Sequence, residues 1–172
     1  MAMTDLTRAF ESAGFEDVRT YIQSGNVVFD AVGTDHAGLA RRIEKTLLRS
    51  LGEGVVVVPR TLAEIESVVD LDPFESVKAG TEVKRHVTFL SKEPARPARL
   101  PLFSPRKDVE IIRIGGGDVF SVSHMRDGRF GFPNAFIERE FGAPATTRNW
   151  KTVASLRATR DRVAGSSPAR SG

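Results

Sequence analysis

A chain of 172 residues with 40% apolar and 27% charged side chains can bury a core as one large domain or two small ones. It contains no cysteine, which excludes disulfides, thiolate metal sites and cysteine nucleophiles and suits a reducing cytoplasm. The net charge of +3 is concentrated rather than spread, because only Glu93 offsets the lysines and arginines from Lys84 to Lys107, and only Asp161 those after residue 159. No stretch reaches the ~18 apolar residues of a membrane helix. The first residues carry Asp5 and Glu11 and no apolar run, unlike a secretory signal. A soluble cytoplasmic protein is expected.

From Met3, Leu6, Phe10 and Ala13 form one helical stripe that Gly14 stops. Val18, Thr20 and Ile22 then alternate with Arg19, Tyr21 and Gln23, the period of a half-buried strand. Ser24-Gly25-Asn26 turns the chain and Val27-Val28-Phe29 returns, a hairpin signal. A helix from Thr34 to about Leu51 follows, with Leu39, Ile43, Leu47 and Leu51 at four-residue spacing and Gly52 as its end. Val55 to Val58, closed by Pro59, reads as a buried strand. Thr61 and Glu64 form a capping box for a helix through Leu62, Ile65 and Val68.

Beyond Pro73 the order restarts with a strand from Arg85 to Leu90. Pro94, Pro97, Pro101 and Pro105 allow only a short or irregular helix next. Val109 to Ile114 and Val119 to Ser123 flank Gly115-Gly116-Gly117 as a second hairpin. Phe136, Ile137 and Phe141 define a helix stopped by Gly142, and after a brief strand at Ala145 to Arg148 a last helix runs from Asn149 to about Ala158. The expected fold class is α+β, two tandem ferredoxin-like (split βαβ) subdomains, the first lacking its opening strand. Residues 1–72 form the first subdomain, 73–158 the second, and 159–172 a disordered basic tail.

Two signatures stand out: Tyr21-Ile22-Gln23-Ser24-Gly25-Asn26-Val27-Val28-Phe29, and Thr146-Thr147-Arg148-Asn149-Trp150 far along the chain. In this order they resemble a bacterial family of unknown function, DUF1697, over about Met3 to Leu156. The resemblance implies two related α+β subdomains and no assigned reaction. Members of that family usually open with an apolar strand and an Arg-Gly-Ile-Asn-like segment, which this sequence does not contain. The proline-rich 94–105 stretch also stands where a regular helix would be expected.

Candidate ligand-binding residues follow from the same signatures. Gln23, Ser24, Gly25 and Asn26 offer an amide, a hydroxyl and backbone N–H groups, although turn geometry alone accounts for the Gly-Asn pair. Thr146, Thr147, Arg148 and Asn149 precede a helix, where N–H groups, hydroxyls and Arg148 suit an anion. The plainer account is a capped helix anchored by Trp150. Gly115-Gly116-Gly117-Asp118 lacks the Gly-Lys-Ser/Thr ending of a phosphate loop and reads as a hairpin connection. Asp127-Gly128 reads first as a turn. His36, His86 and His124 have no metal-ligand spacing, and no nucleophile–base pair, catalytic residue or cofactor is nominated.

The favoured function is a small-molecule or anion-binding, regulatory module whose site lies between the two subdomains. Nucleic-acid binding through the basic 84–107 region is the alternative, although the aromatic strand pattern of RNA-binding plaits is absent. An enzyme acting on an anionic metabolite through Arg148 ranks third. No membrane partner is expected, and neither the ligand nor the oligomeric state can be read from the residues.

Overall fold

A computed structural model describes residues 2–21, 25–33, 35–78 and 82–165. It is a mixed α/β protein with five helices and antiparallel sheets among the described residues. The chain divides into two compact units, Met1–Pro59 and Arg60–Gly172.

The first unit opens with α1 (Met3–Ser12), which buries Leu6, Ala9 and Phe10 on one face. Gly14, at φ 88°, adopts the left-handed turn that only glycine takes without strain. β1 (Glu16–Tyr21) and β2 (Asn26–Asp30) pair antiparallel, with Thr20 opposite Val27 and a register shift between Glu16 and Arg19. α2 (His36–Leu51) buries Ile43 and Leu47 and ends on left-handed Gly52, as the leucine spacing predicts. Phe10, Phe15 and Phe29 form a tilted aromatic trio with centroids 4.7–5.7 Å apart. The Arg42 guanidinium covers the Phe15 ring at 4.6 Å and donates to the Ala13 carbonyl.

The expected strand at Val55–Val58 does not form. These residues carry no ladder to any described strand. Val55 and Val57 still pack on the first unit's core, while Val56 is 45% exposed. Alternation can bring side chains to a core, but a strand also needs a neighbouring backbone.

The second unit begins at Arg60, so the division falls before α3 (Leu62–Asp70) rather than after residue 72. α3 carries the expected capping box and contacts the C-terminal helix of this unit. Arg60 bonds to Asp118 at 3.2 Å and to the Leu90 carbonyl at 3.1 Å. β3 (Val83–Leu90) leads through an irregular proline-rich run to the short β4 (Leu102–Phe103), with no helix between them. β5 (Val109–Gly115) and β6 (Asp118–Arg126) form the second hairpin. Asp127 and Gly128, both at positive φ, turn β6 into β7 (Arg129–Phe130).

α4 (Asn134–Phe141), β8 (Ala145–Asn149) and α5 (Trp150–Gly165) complete the unit. α5 continues past the expected end at Ala158, so the predicted tail is helical as far as Gly165, and residues 166–172 lie outside the described chain. The sheet order is β4-β5-β6-β3-β8 with every neighbour antiparallel, and β7 adds to β6.

Each face of this sheet is covered. Leu90, Ile111, Val119 and Ala145 pack with Ile137 of α4 on one side. Val87, Phe89, Phe120 and Val122 are buried on the other, where Phe74 meets Phe120 and Trp150 edge-on at 6.2 and 5.2 Å.

Candidate functional site

Gln23 and Ser24 lie outside the described residues. Gly25, exposed at φ 75°, supplies the turn geometry expected of it, and Asn26 opens β2 opposite Tyr21. Thr146–Asn149 are most of β8, the brief strand expected at Ala145 to Arg148, and lead directly into α5 at Trp150. Thr146 faces Phe89 across the ladder, Thr147 faces Thr88, Arg148 faces Val87 and Asn149 faces His86. Side chains alternate along a strand, so Thr146 and Arg148 leave one face while Thr147 and Asn149 leave the other.

Each of the last three has a local task. The Thr147 hydroxyl is 8% exposed, donates to Asn134 Oδ1 at 2.9 Å and lies 2.8 Å from Thr88 Oγ1. A hydroxyl has one proton, so Thr88 donates to Thr147 and the chain of hydrogen bonds runs Thr88, Thr147, Asn134. Asn149 Oδ1 accepts the Lys151 N–H at 2.9 Å and so caps α5. That occupies an N–H group the anion reading had left open. Arg148 is half-buried and donates from Nη1 to the Thr147 carbonyl, and burial pushes its pKa below the usual guanidinium range.

The register assembles a different set of polar groups. His86 stands opposite Ser121 on β6 and opposite Asn149 on β8, with Thr88 two residues along. Ser123 is two residues from Ser121, so both serines share the His86 face. Ser121, Ser123 and Thr88 are fully buried and His86 is 6% exposed. His86 Nδ1 lies 3.3 Å from Ser123 Oγ. The Ser121 hydroxyl has no hydrogen-bond partner among the described residues. Phe132, 65% exposed, meets the His86 ring edge-on at 5.7 Å. One end of this sheet face is therefore apolar beneath Ile137, and the other is a floor of hydroxyls and imidazole.

Burial, and then the charge of Lys84, lower the His86 pKa. The ring is neutral at pH 7 and offers one donor and one acceptor nitrogen. With the serine hydroxyls, each also able to donate or accept, the floor matches a small polar ligand. The Ser123–His86 contact does not make a hydrolytic triad, since no carboxylate bonds to His86 among the described residues to orient the ring. Sequence reasoning missed this set, although two signals existed: His86-x-Thr88 and Ser121-x-Ser123 each place polar groups two apart in otherwise apolar strands.

Two of the basic residues from the 84–107 region have local partners. The Lys84 ammonium sits 4.6 Å from the Phe130 ring centre, and Arg106 pairs with Asp127 at 3.5 Å on the surface. His124 lies 3.7 Å from Glu110. No group of three or more metal-ligating side chains occurs among the described residues. No described helix is long and apolar enough to cross a membrane.

Five helices and antiparallel sheets among the described residues make this a mixed α/β protein. It belongs to the family described as Protein of unknown function (DUF1697), whose model matches residues 1–120. The match covers the first unit and the second as far as Phe120 of β6, and stops before the Thr146–Asn149 signature. No curated protein and no solved structure matches the chain.

Proposed function

We propose that the protein is a binding module for a small polar or anionic molecule, held on the second unit's sheet by His86, Ser121 and Ser123 beneath Phe132. The observation that carries this reading is the Ser121 hydroxyl, fully buried and without a partner among the described residues. Buried polar groups are ordinarily paired, and each exception calls for an explanation such as a role in binding. Thr147 and Asn149 share this sheet face and frame the floor, while Thr146 and Arg148 serve the opposite side. The absence of cysteine suits a cytoplasmic setting.

Thermal-shift measurements with panels of phosphates, carboxylates and neutral amides test the reading. A compound that stabilises the natural protein should lose its effect in Ser121→Ala, while the unliganded variant is at least as stable as its parent. A panel without any stabilising compound, or a shift that survives Ser121→Ala, would overturn it.

The nucleic-acid reading draws less support. Stacked bases need an open sheet face, and both faces of β3 and β6 are buried. No reaction is proposed.

The two units are read as variants of one split βαβ plan. In the second, the run β5-β6-β3-β8 within the order β4-β5-β6-β3-β8 supports this reading, with the proline-rich run taken to replace one helix. In the first, the order α1, β1, β2, α2 supports the same reading.

A further inference from the structure

The sheet face that holds His86 is free of carboxylates. β3 and β8 contain no acidic residue, and the register sends Glu110 of β5 and Asp118 of β6 to the opposite side. The cation these strands place on the His86 side is Lys84, which stands opposite Ser123 and two residues from His86. It is exposed, with its ammonium over the Phe130 ring. A cationic ligand would meet no opposite charge on this floor, whereas an anion would.

The start of α4 adds to that bias. Val119, two residues from Ser121 on β6, packs with Ile137, so α4 covers the same side of the strand. Phe132 meets the His86 ring, Pro133 is fully buried, and Asn134 Oδ1 accepts from Thr147. The opening of the helix therefore stands over the strand positions of His86 and Thr88. No side chain caps it, and the N–H groups of Asn134, Ala135 and Phe136 have no acceptor among the described residues. Such an end carries partial positive charge and unused donors. Beneath it, the Ser121 hydroxyl is buried and unpartnered among the described residues, an independent donor on the same side.

We propose that the site takes an oxyanion, the carboxylate or phosphate group of a small molecule, held by the Ser121 and Ser123 hydroxyls, the N–H groups that open α4 and the Lys84 ammonium. This rests on the binding reading above and narrows it to one charge class. A proton on His86 Nδ1 would be donated to Ser123 Oγ, which leaves the Ser123 proton for the anion. The ligand enters past Phe132, whose exposed ring turns aside.

NMR titration of the full chain with inorganic phosphate and with acetate tests this, with acetamide as the neutral counterpart of acetate. At least one anion should shift the Ser121, Ala135 and Phe136 amides saturably, and acetamide should not. Ser121→Ala and Lys84→Met should each weaken that anion's binding by about tenfold, the loss of one hydrogen bond or contact to a charged group. Shifts that survive both substitutions place the anion elsewhere and overturn the proposal. Acetamide binding as tightly as acetate, or silent anions beside a neutral compound that stabilises the protein through Ser121, overturns the charge class and leaves the binding module standing. Silent anions together with thermal-shift panels that yield no stabilising compound remove both.

Discussion

At the scale of single residues, the polar floor separates groups that stabilise the fold from one that does not. Thr147 sits in the middle of a buried relay, accepting from Thr88 and donating to Asn134. Thr147→Val should strand both neighbours and cost about 1–3 kcal/mol in urea unfolding. Ser121→Ala removes a hydroxyl that bonds to nothing described and should be neutral or stabilising in the same assay.

His86 adds a pH dependence with a definite sign. Its folded-state pKa is depressed, so the unfolded chain takes up the proton first as pH falls. The stability it contributes is present above the usual histidine value of about 6.5 and is lost as pH drops through the lowered folded value. His86→Gln should therefore flatten the loss of stability between pH 7.5 and pH 5.5 relative to the natural protein.

At the scale of elements, local chemistry predicted what local chemistry controls. The α2 leucine spacing, the positive φ of Gly25 and the Thr61–Glu64 capping box all appear as read. Thr61→Ala should cost about 1 kcal/mol by losing the bond to the Glu64 N–H. The failures were elements whose state depends on distant partners. The brief strand expected at Ala145 to Arg148 does form, but the ladder that β3 supplies carries it on to Asn149, so the helix expected from Asn149 starts one residue later at Trp150. Val55–Val58 has strand composition and no described neighbour, so it stays unpaired.

Arg60 shows the same dependence, since its place was invisible until Asp118 and the Leu90 carbonyl came within reach. Burial, the largest influence, leaves the Asp118 pKa raised, with Arg60 opposing the rise and the Glu64 charge adding to it. The stability linked to that shift is present below the unfolded carboxylate pKa and is lost as pH rises through the folded value. Arg60→Ala removes the opposing cation and should make this loss steeper.

At the scale of the whole molecule, the chain parts between Pro59 and Arg60 into two compact units, and the contacts of α3 with α5 keep that helix in the second. The candidate site was legible only in part. Thr147 and Asn149 were nominated as an anion site ahead of a helix, and the β8 ladder puts both on the His86 face of the sheet. His86 lost attention because histidines without metal spacing are usually ordinary, and nothing in the one-dimensional pattern pairs residue 86 with residue 121. The ladder between β3 and β6 does so.

The account turns on whether that ladder builds a place for a ligand. The direct measurement is chemical-shift mapping by NMR with the compound that most stabilises the protein. Shifts should concentrate at His86, Ser121, Ser123 and Phe132 and vanish in Ser121→Ala. Shifts that leave those four residues untouched, or binding that persists unchanged in Ser121→Ala, would contradict it.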